Sequence, residues 1–410
     1  MKILQIAPYT TCLTVKLLSQ CISGFGYMTY DIANNIGKRA DVDMLLFNYR
    51  YKTFVSDKIN FIGCSWKDIV CNVFYCASIF TLFKTIKRYK MSMRTFVRVI
   101  YYWLISGYYS KIVERGGYDI VHIHGCGFCD IFLQEILKKR NQKYVITLHG
   151  LNSFSDSVNM ESGGKKFEKD FLQKVVNGEF PITVISTGIV NQILSYYNKQ
   201  KVENLYLVYN SFSFPNNAPR NINIRKKYDI PSDAKILLYV GNLSTHKNQI
   251  VIVDVFAKLP EEIRDKVYVL FCGRDLNDGN LVAESISKHP YKEHLIICGN
   301  VPKDEIGSYY EQSDAVALLS ISEGFGLSLI EGMHYGLPCI ASVTIDAYDD
   351  IYFEEGVIGV DITKHENVAD RIHLLFSQNW DAETIKEHSS IFTGEKVTES
   401  YLDVYQKVLS

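Results

Sequence analysis

Residues 314–320 read Asp-Ala-Val-Ala-Leu-Leu-Ser, and residues 323–331 read Glu323-Gly324-Phe325-Gly326-Leu327-Ser328-Leu329-Ile330-Glu331. The first run is apolar and of strand length, as expected of a strand buried on both faces. The second opens on a glycine turn, and from Leu327 to Tyr335 its apolar spacing predicts a short helix starting at about Gly326. A strand, a Gly-rich turn and a helix N-terminus make an anion site, because the first amides of a helix lack intrahelical partners. Glu323 then stands at the lip of the crevice and Glu331 further along the helix, so an extended ligand meets one acid at each end with phosphates between them.

Two glutamates at this spacing are common on helix surfaces; the glycines and the apolar strand are what make this pair specific. The arrangement resembles the E-x7-E motif of the retaining nucleotide-sugar glycosyltransferases of family 4, which have the two-domain GT-B fold. The likeness continues through Gly336-Leu337-Pro338-Cys339-Ile340-Ala341-Ser342. The resemblance implies that Glu323 holds hydroxyls of the transferred sugar and that the amides of Phe325, Gly326 and Leu327 meet the phosphates. It also implies that Glu331 accepts from the ribose hydroxyls, and that no metal or other cofactor is needed.

The chain has 410 residues, 47% hydrophobic and 22% charged, a size and composition that fit two globular domains. A net charge of −1 offers no global basic field, which argues against nucleic acid as a partner. Cysteines such as Cys71, Cys76, Cys272, Cys298 and Cys339 lie in apolar segments, so they read as reduced, buried thiols of a cytoplasmic protein with no signal peptide. Apolar strands alternate with helical stretches from Lys2 to Tyr209, break at the Pro-rich segment 213–232, and resume at Lys235. The expected architecture is α/β: two Rossmann-like, doubly wound domains facing across a cleft, with ligands at the carboxyl ends of the strands. The expected boundaries are 1–212, a linker 213–232, a nucleotide-sugar domain 233–385, and a terminal helix 386–410 that crosses back to the first domain, as in the resembled family.

After the first strand of the second half comes Gly241-Asn242-Leu243-Ser244-Thr245-His246-Lys247-Asn248, leading into a helix at about Asn248. Lys247 is placed to neutralise a diphosphate. The family carries Arg where this chain has Asn242, which removes one positive charge that Arg274 or His246 could replace. Cys298-Gly299-Asn300-Val301 matches the family turn whose backbone touches the nucleotide base.

In the first half, Ser23-Gly24-Phe25-Gly26 precedes a helix expected from Tyr27, and the small residues would let backbone approach a ligand. A dinucleotide fingerprint needs a third glycine where Thr29 stands, which excludes a dehydrogenase. Thr147-Leu148-His149-Gly150 ends a strand and matches the family T-x-H-G, implying that His149 contacts the transferred sugar or the acceptor hydroxyl. Ser186 and Asn210 also match family positions, with Ser211 where the family has Gly. His122, His124, Cys126 and Cys129 have soft-metal or redox spacing, yet the family carries its Asp-x-Val-His-x-His strand without metal. Asp41-Val42-Asp43 lies inside an apolar strand, not at a metal turn.

Between Trp66 and Arg115 lie nine Lys or Arg, two acids and twelve aromatics, a net of +7 in a chain of net −1. On a helical wheel Arg94 and Arg98 share one face and Phe96, Ile100, Trp103 and Leu104 the other. The longest uncharged run, Ile69 to Phe83, is too short to span a bilayer, so a basic amphipathic helix pair at the membrane surface is expected. The sequence therefore reads as a transferase taking a nucleotide sugar as donor and a glycan or lipid-linked molecule as acceptor. Two rivals stand beside it: a nucleotide-sugar epimerase or phosphorylase of the same fold, and a catalytically silent binding protein.

Overall fold

The computed structural model describes residues 1–410 apart from 13–14, 20–22, 155–159, 213–221 and 277–279. Two compact units divide the chain: Met1–Ser211 together with Gly394–Ser410, and Phe212–Thr393.

In the first unit the apolar runs become strands β1 (Lys2–Ala7), β2 (Asp41–Leu46), β3 (Phe54–Ser56), β4 (Ile59–Phe61), β5 (Ile120–His124), β6 (Tyr144–Leu148), β7 (Ile182–Val184) and β8 (Leu205–Leu207). They form one sheet in the order β3-β4-β2-β1-β5-β6-β7-β8, parallel except for the β3–β4 hairpin. That hairpin was not expected from the sequence; its strands are three residues each and show no alternation long enough to read. Helices α1 (Gly24–Ile36), α2 (Trp66–Cys71), α3 (Ile79–Arg88), α4 (Met93–Gly116), α5 (Phe128–Lys139) and α6 (Ser162–Val176) cover the sheet. The terminal helix Gly394–Leu409 also belongs to this unit and buries Val397, Tyr401, Val404 and Tyr405 in one core with Ile3, Met28 and Val145.

The second unit carries β9 (Lys235–Val240), β10 (Val267–Cys272), β11 (Leu295–Gly299), β12 (Ala315–Leu318), β13 (Cys339–Ser342) and β14 (Val357–Val360). All neighbours are parallel, in the order β11-β10-β9-β12-β13-β14. Every residue of β12 and β13 is buried, which is why both read as continuous apolar runs. Part of the linker segment, 213–221 with Pro215 and Pro219, lies outside the described residues. Its remainder forms a helical turn, Ile224–Lys227, capped by Asn223, and buries Ile224 and Ile230.

Four sequence readings need correction. Gly24 and Gly26 lie inside the first turn of α1, because Ser23 caps it by accepting from the Gly26 amide at 3.0 Å. The helix after Gly241 starts at Ile250, not Asn248, whose φ of +55° is outside helical space. Residues 66–116 hold three α-helices and a 3-10 turn (Val73–Tyr75), not a helix pair, and the Phe96, Ile100, Trp103, Leu104 face is half-buried. There the Trp103 ring packs on Phe132 and Ile136 and its Nε1 donates to the Ala77 carbonyl at 2.7 Å. Finally, Cys71 is exposed and Cys76 and Cys298 are half-buried, whereas Cys272 and Cys339 are buried; α2 is too short to enclose its last residue.

Candidate functional site

In the second unit β9 is the first strand, and the chain runs from it to β10 and β11 on one side, then to β12, β13 and β14 on the other. The loops leaving β9 and β12 therefore diverge at a topological switch point, where open α/β sheets leave a crevice. Lys247 sits in the first loop and Glu323 in the second, and their side chains form an ion pair, each about one-quarter exposed.

Several bonds hold those two loops together. The Tyr239 hydroxyl, on β9, donates to the Lys247 carbonyl and accepts from the Leu319 amide at 2.9 Å. The Asn248 side chain donates to the Leu319 carbonyl at 3.1 Å, and the Ile321 amide to the His246 carbonyl at 2.9 Å. Glu323 is fixed from its other side, since its carbonyl accepts from the Asp346 amide at 2.8 Å. Tyr239 is fully buried, so its hydroxyl has no water to fall back on and the brace is obligatory. Sequence reasoning passed over Tyr239; its signal was a phenol placed next to last in an otherwise aliphatic strand.

Gly326 follows at φ +89°, a conformation that glycine adopts without steric cost, and the Leu327–His334 helix begins directly after it. Phe325 is buried on the Phe392 ring, centroids 5.6 Å apart, which anchors the turn. The first amides of that helix thus lie beside the Lys247–Glu323 pair, a positive helix end next to a cation. One turn into the helix, Glu331 accepts from the Tyr310 hydroxyl at 2.7 Å, and burial, then the carboxylate, push that phenol well above its usual range.

Asn242, Arg274 and Val301 follow β9, β10 and β11 and so fan out along the strand ends away from the switch point. Asn242 is a brace: its Oδ1 accepts from the Arg274 amide at 3.2 Å, and its carbonyl accepts from Gln249 at 3.0 Å. Gly273 is required by close approach, because a Cβ there would collide with the Gly241 carbonyl.

In the first unit His149 leaves β6 next to His124 on β5, and the Phe25 ring of α1 lies edge-on to it at 5.1 Å. Gly24 and His149 are thereby brought to the same strand ends, through Phe25. Gly26 packs where a Cβ would strike Thr11, whereas nothing stands near Gly24 to exclude one; the packing demand is Gly26's alone. Gln5 Oε1 lies 3.1 Å from His124 Nε2, and His124 Nδ1 lies 3.3 Å from His149 Nε2. His149 Nδ1 is enclosed and without a partner among the described residues. Burial, with His124 and His149 adding to it, holds His122 well below its usual value; burial holds His124 at about 3. Burial and then His124 hold His149 well below its usual value, so all three rings are neutral near pH 7.

His122 uses both ring nitrogens, with Tyr405 at 2.7 Å and Thr147 at 2.6 Å, and Asp43 is bonded to Asn60 and Tyr118. Among the described residues no three His, Cys, Asp or Glu stand close enough to hold a metal ion.

Residues 221–390 match the family model described as glycosyl transferases group 1, so the second unit carries a glycosyltransferase group 1 domain. An N-acetyl-alpha-D-glucosaminyl L-malate synthase of Bacillus anthracis is 23% identical over 309 residues, spanning 73% of this chain and 77% of that one. A glycosyltransferase of Rickettsia africae superposes with a TM-score of 0.73 at 18% identity, over 100% of this chain and 98% of that one. The HepE protein of Anabaena, solved with UDP and glucose, superposes with a TM-score of 0.66 at 15% identity, over 99% and 100% of the two chains. The fold is that of GT-B glycosyltransferases: two parallel-sheet, Rossmann-like α/β domains.

Proposed function

We propose that this glycosyltransferase is a retaining, metal-independent enzyme of family 4 that moves a sugar from a nucleotide-diphosphate sugar to a glycan or lipid-linked acceptor. Its setting is surface polysaccharide or glycolipid assembly in the cytoplasm, peripheral on the inner face of the membrane. The observation that carries the reading is the Lys247–Glu323 ion pair at the switch point beside the Gly326 turn. Each member of that pair holds the other in place until donor arrives. The diphosphate then takes over Lys247 and the sugar hydroxyls take over Glu323, so both charges exchange one partner for another without an uncompensated state. Glu331 accepts from the ribose hydroxyls with Tyr310 as its fixed neighbour. His149, at the strand ends beside Phe25, contacts a hydroxyl of the transferred sugar or the acceptor.

In this proposal Glu323 holds the sugar hydroxyls and Glu331 the ribose hydroxyls, so neither carboxylate of the motif acts as a covalent nucleophile on the far side of the sugar. The reaction proposed is a front-face substitution. The bond from the anomeric carbon to the diphosphate oxygen breaks, and the acceptor oxygen bonds that carbon on the same face. The acceptor proton passes to the departing diphosphate oxygen. Lys247 and the helix amides steady the charge that develops there.

The deciding experiment is nucleotide-diphosphate release from a panel of nucleotide sugars, with and without acceptor, by the wild-type chain and Glu323→Gln. Acceptor-dependent release that falls in the variant supports the transferase, and an unchanged rate with EDTA supports metal independence. Release without acceptor, or an epimerised donor, points to the same-fold rivals. Equal background rates in both chains would mean a silent binding protein.

A further inference from the structure

We propose that the first unit docks on an anionic lipid bilayer through the outward face of α2, the 3-10 turn Val73–Tyr75, α3 and the start of α4. On α3, Phe80, Phe83, Lys84 and Lys87 are all exposed, at the 0, 3, 4, 7 spacing that a helix normally turns toward its core. Phe80 is 80% exposed, Phe83 63%, and Phe74 in the preceding turn 93%. The core side of α3 is already satisfied, with Leu82 packed among Ala77, Val99, Phe132 and Ile136, so these rings are not left over from a poorly filled interior. The pattern repeats nearby: α4 exposes Met93, Arg94, Val97 and Arg98, and α2 exposes Trp66, Lys67 and Val70. On α4 this is the Arg94–Arg98 face of the helical wheel, not its Phe96–Trp103 face, which is half-buried.

Charge identifies the occupant. Residues 66–98 contain seven Lys or Arg and one acid, Asp68, in a chain whose net charge is −1. Asp68 is engaged in the capping box with Ser65 at the start of α2, and Glu161, which reaches the start of α4 from outside this segment, accepts from Ser92 and Thr95. A groove beside α3 extends the cationic surface with Lys84 and Lys174; its Arg88 is paired with Asp170, its Lys138 with Glu179 at 3.6 Å, and its Glu135 with Lys139. Aromatic rings with cations within one turn match a bilayer interface, where anionic headgroups lie above an apolar layer that a phenylalanine can reach. A protein partner fits less well, because interfaces between proteins are depleted of lysine and four of these seven cations are Lys67, Lys84, Lys87 and Lys90. Among the described residues no helix is long and apolar enough to cross a membrane.

This inference deepens the membrane location proposed above and rests on that reading for its biological sense, yet lipid binding needs neither donor nor acceptor. The test is co-sedimentation of the full chain with phosphatidylcholine vesicles, with and without phosphatidylglycerol, at low and high salt. The expected result is binding only to the anionic vesicles, weakened by salt. Lys84→Gln with Lys87→Gln should lower partitioning about tenfold or more. The triple variant Phe74→Ser, Phe80→Ser, Phe83→Ser should lower it at least as far, with unchanged circular dichroism because these rings support no core. Equal binding to neutral and anionic vesicles, or wild-type binding by the serine variant, would overturn the proposal. So would a concentration-dependent dimer abolished by the same serines, which would assign the face to a second copy. Transfer to a soluble acceptor by the serine variant is measured alongside: its loss in the wild type too would sink the transferase reading and leave lipid docking standing.

Discussion

β1 and β9 are almost the same strand, Lys-Ile-Leu-Gln-Ile-Ala against Lys-Ile-Leu-Leu-Tyr-Val, and each starts its own sheet. Each is tied to its neighbour at the entry by an aspartate: Asp119 accepts from the Lys2 amide at 2.7 Å, and Asp314 from the Ile236 amide at 2.8 Å. They part at their last three positions, of which Gln5 against Leu238 and Ile6 against Tyr239 carry the contrast. In the first unit Gln5 puts an amide at mid-strand, beside buried His124, His122 and Thr147 on β5 and β6 and half-buried His149 just after β6. In the second unit the same position is Leu238, the interior stays apolar, and Tyr239 at the strand end ties down the loop that carries Lys247. One design keeps neutral polar groups inside the sheet layer; the other keeps charge at its rim. The first should be sensitive to acid and the second to loss of a single charge.

The sharpest way to break that contrast is pH. Imidazoles held neutral in the native state at depressed values contribute stability that is present above the unfolded-state value of about 6.5 and lost as pH falls toward the native one, about 3 for His124. Asp130 has the opposite sign: burial raises it to about 7, so its contribution is full below the unfolded value and fades as pH rises to 7. Three imidazoles outweigh one carboxyl. Hydrogen exchange should show β5 and β6 losing protection between pH 6.5 and 4, by on the order of 1 kcal/mol per pH unit for each ring, while β12 and β13 hold. If β12 and β13 open first, the comparison is wrong.

Next in size is Lys247→Met, expected to lower kcat about 10²- to 10³-fold with little change in thermal unfolding. A kcat within a factor of a few of wild type would remove the rim charge from the mechanism. Gly273→Ala should destabilise the second unit by about 1–3 kcal/mol in urea titration, since the methyl has only the Gly241 backbone to displace. A first-unit transition that shifted equally would show the units to be coupled. The smallest effect belongs to Tyr310→Phe, which removes one bond to Glu331 and should raise the donor KM up to about tenfold at constant kcat. A fall in kcat instead would place Glu331 in the transition state.

Much of this was legible in residue order. Lys235–Val240, Val267–Cys272 and Cys339–Ser342 were readable to the residue, because strands buried on both faces must be continuously apolar. β14 went unread although Val357–Val360 has the same character, and β3 and β4 were too short to carry a period. Of the site, Lys247 and Glu323 were visible from their turns, but their contact was not, since it depends on which strand follows which in the sheet. Asn242 was weighed as a missing charge and sits in place as a backbone brace. The aromatic–basic region was recognised from composition while its exposed side was misjudged. A helical wheel separates two faces, and only packing against Phe132 and Ile136 says which one is hidden.

Residue order by itself determined two α/β units, the glycine turn before the Leu327–His334 helix, and the charges at either end of it, because burial, φ > 0 and helix initiation act within a few neighbours. Tertiary structure alone decided that β9 and β12 lie side by side, that His149 turns Nε2 rather than Nδ1 toward His124, and that Phe80 and Phe83 face outward. Those outcomes depend on partners far along the chain, and a side chain's hydrogen bonds and exposure are properties of what folds against it.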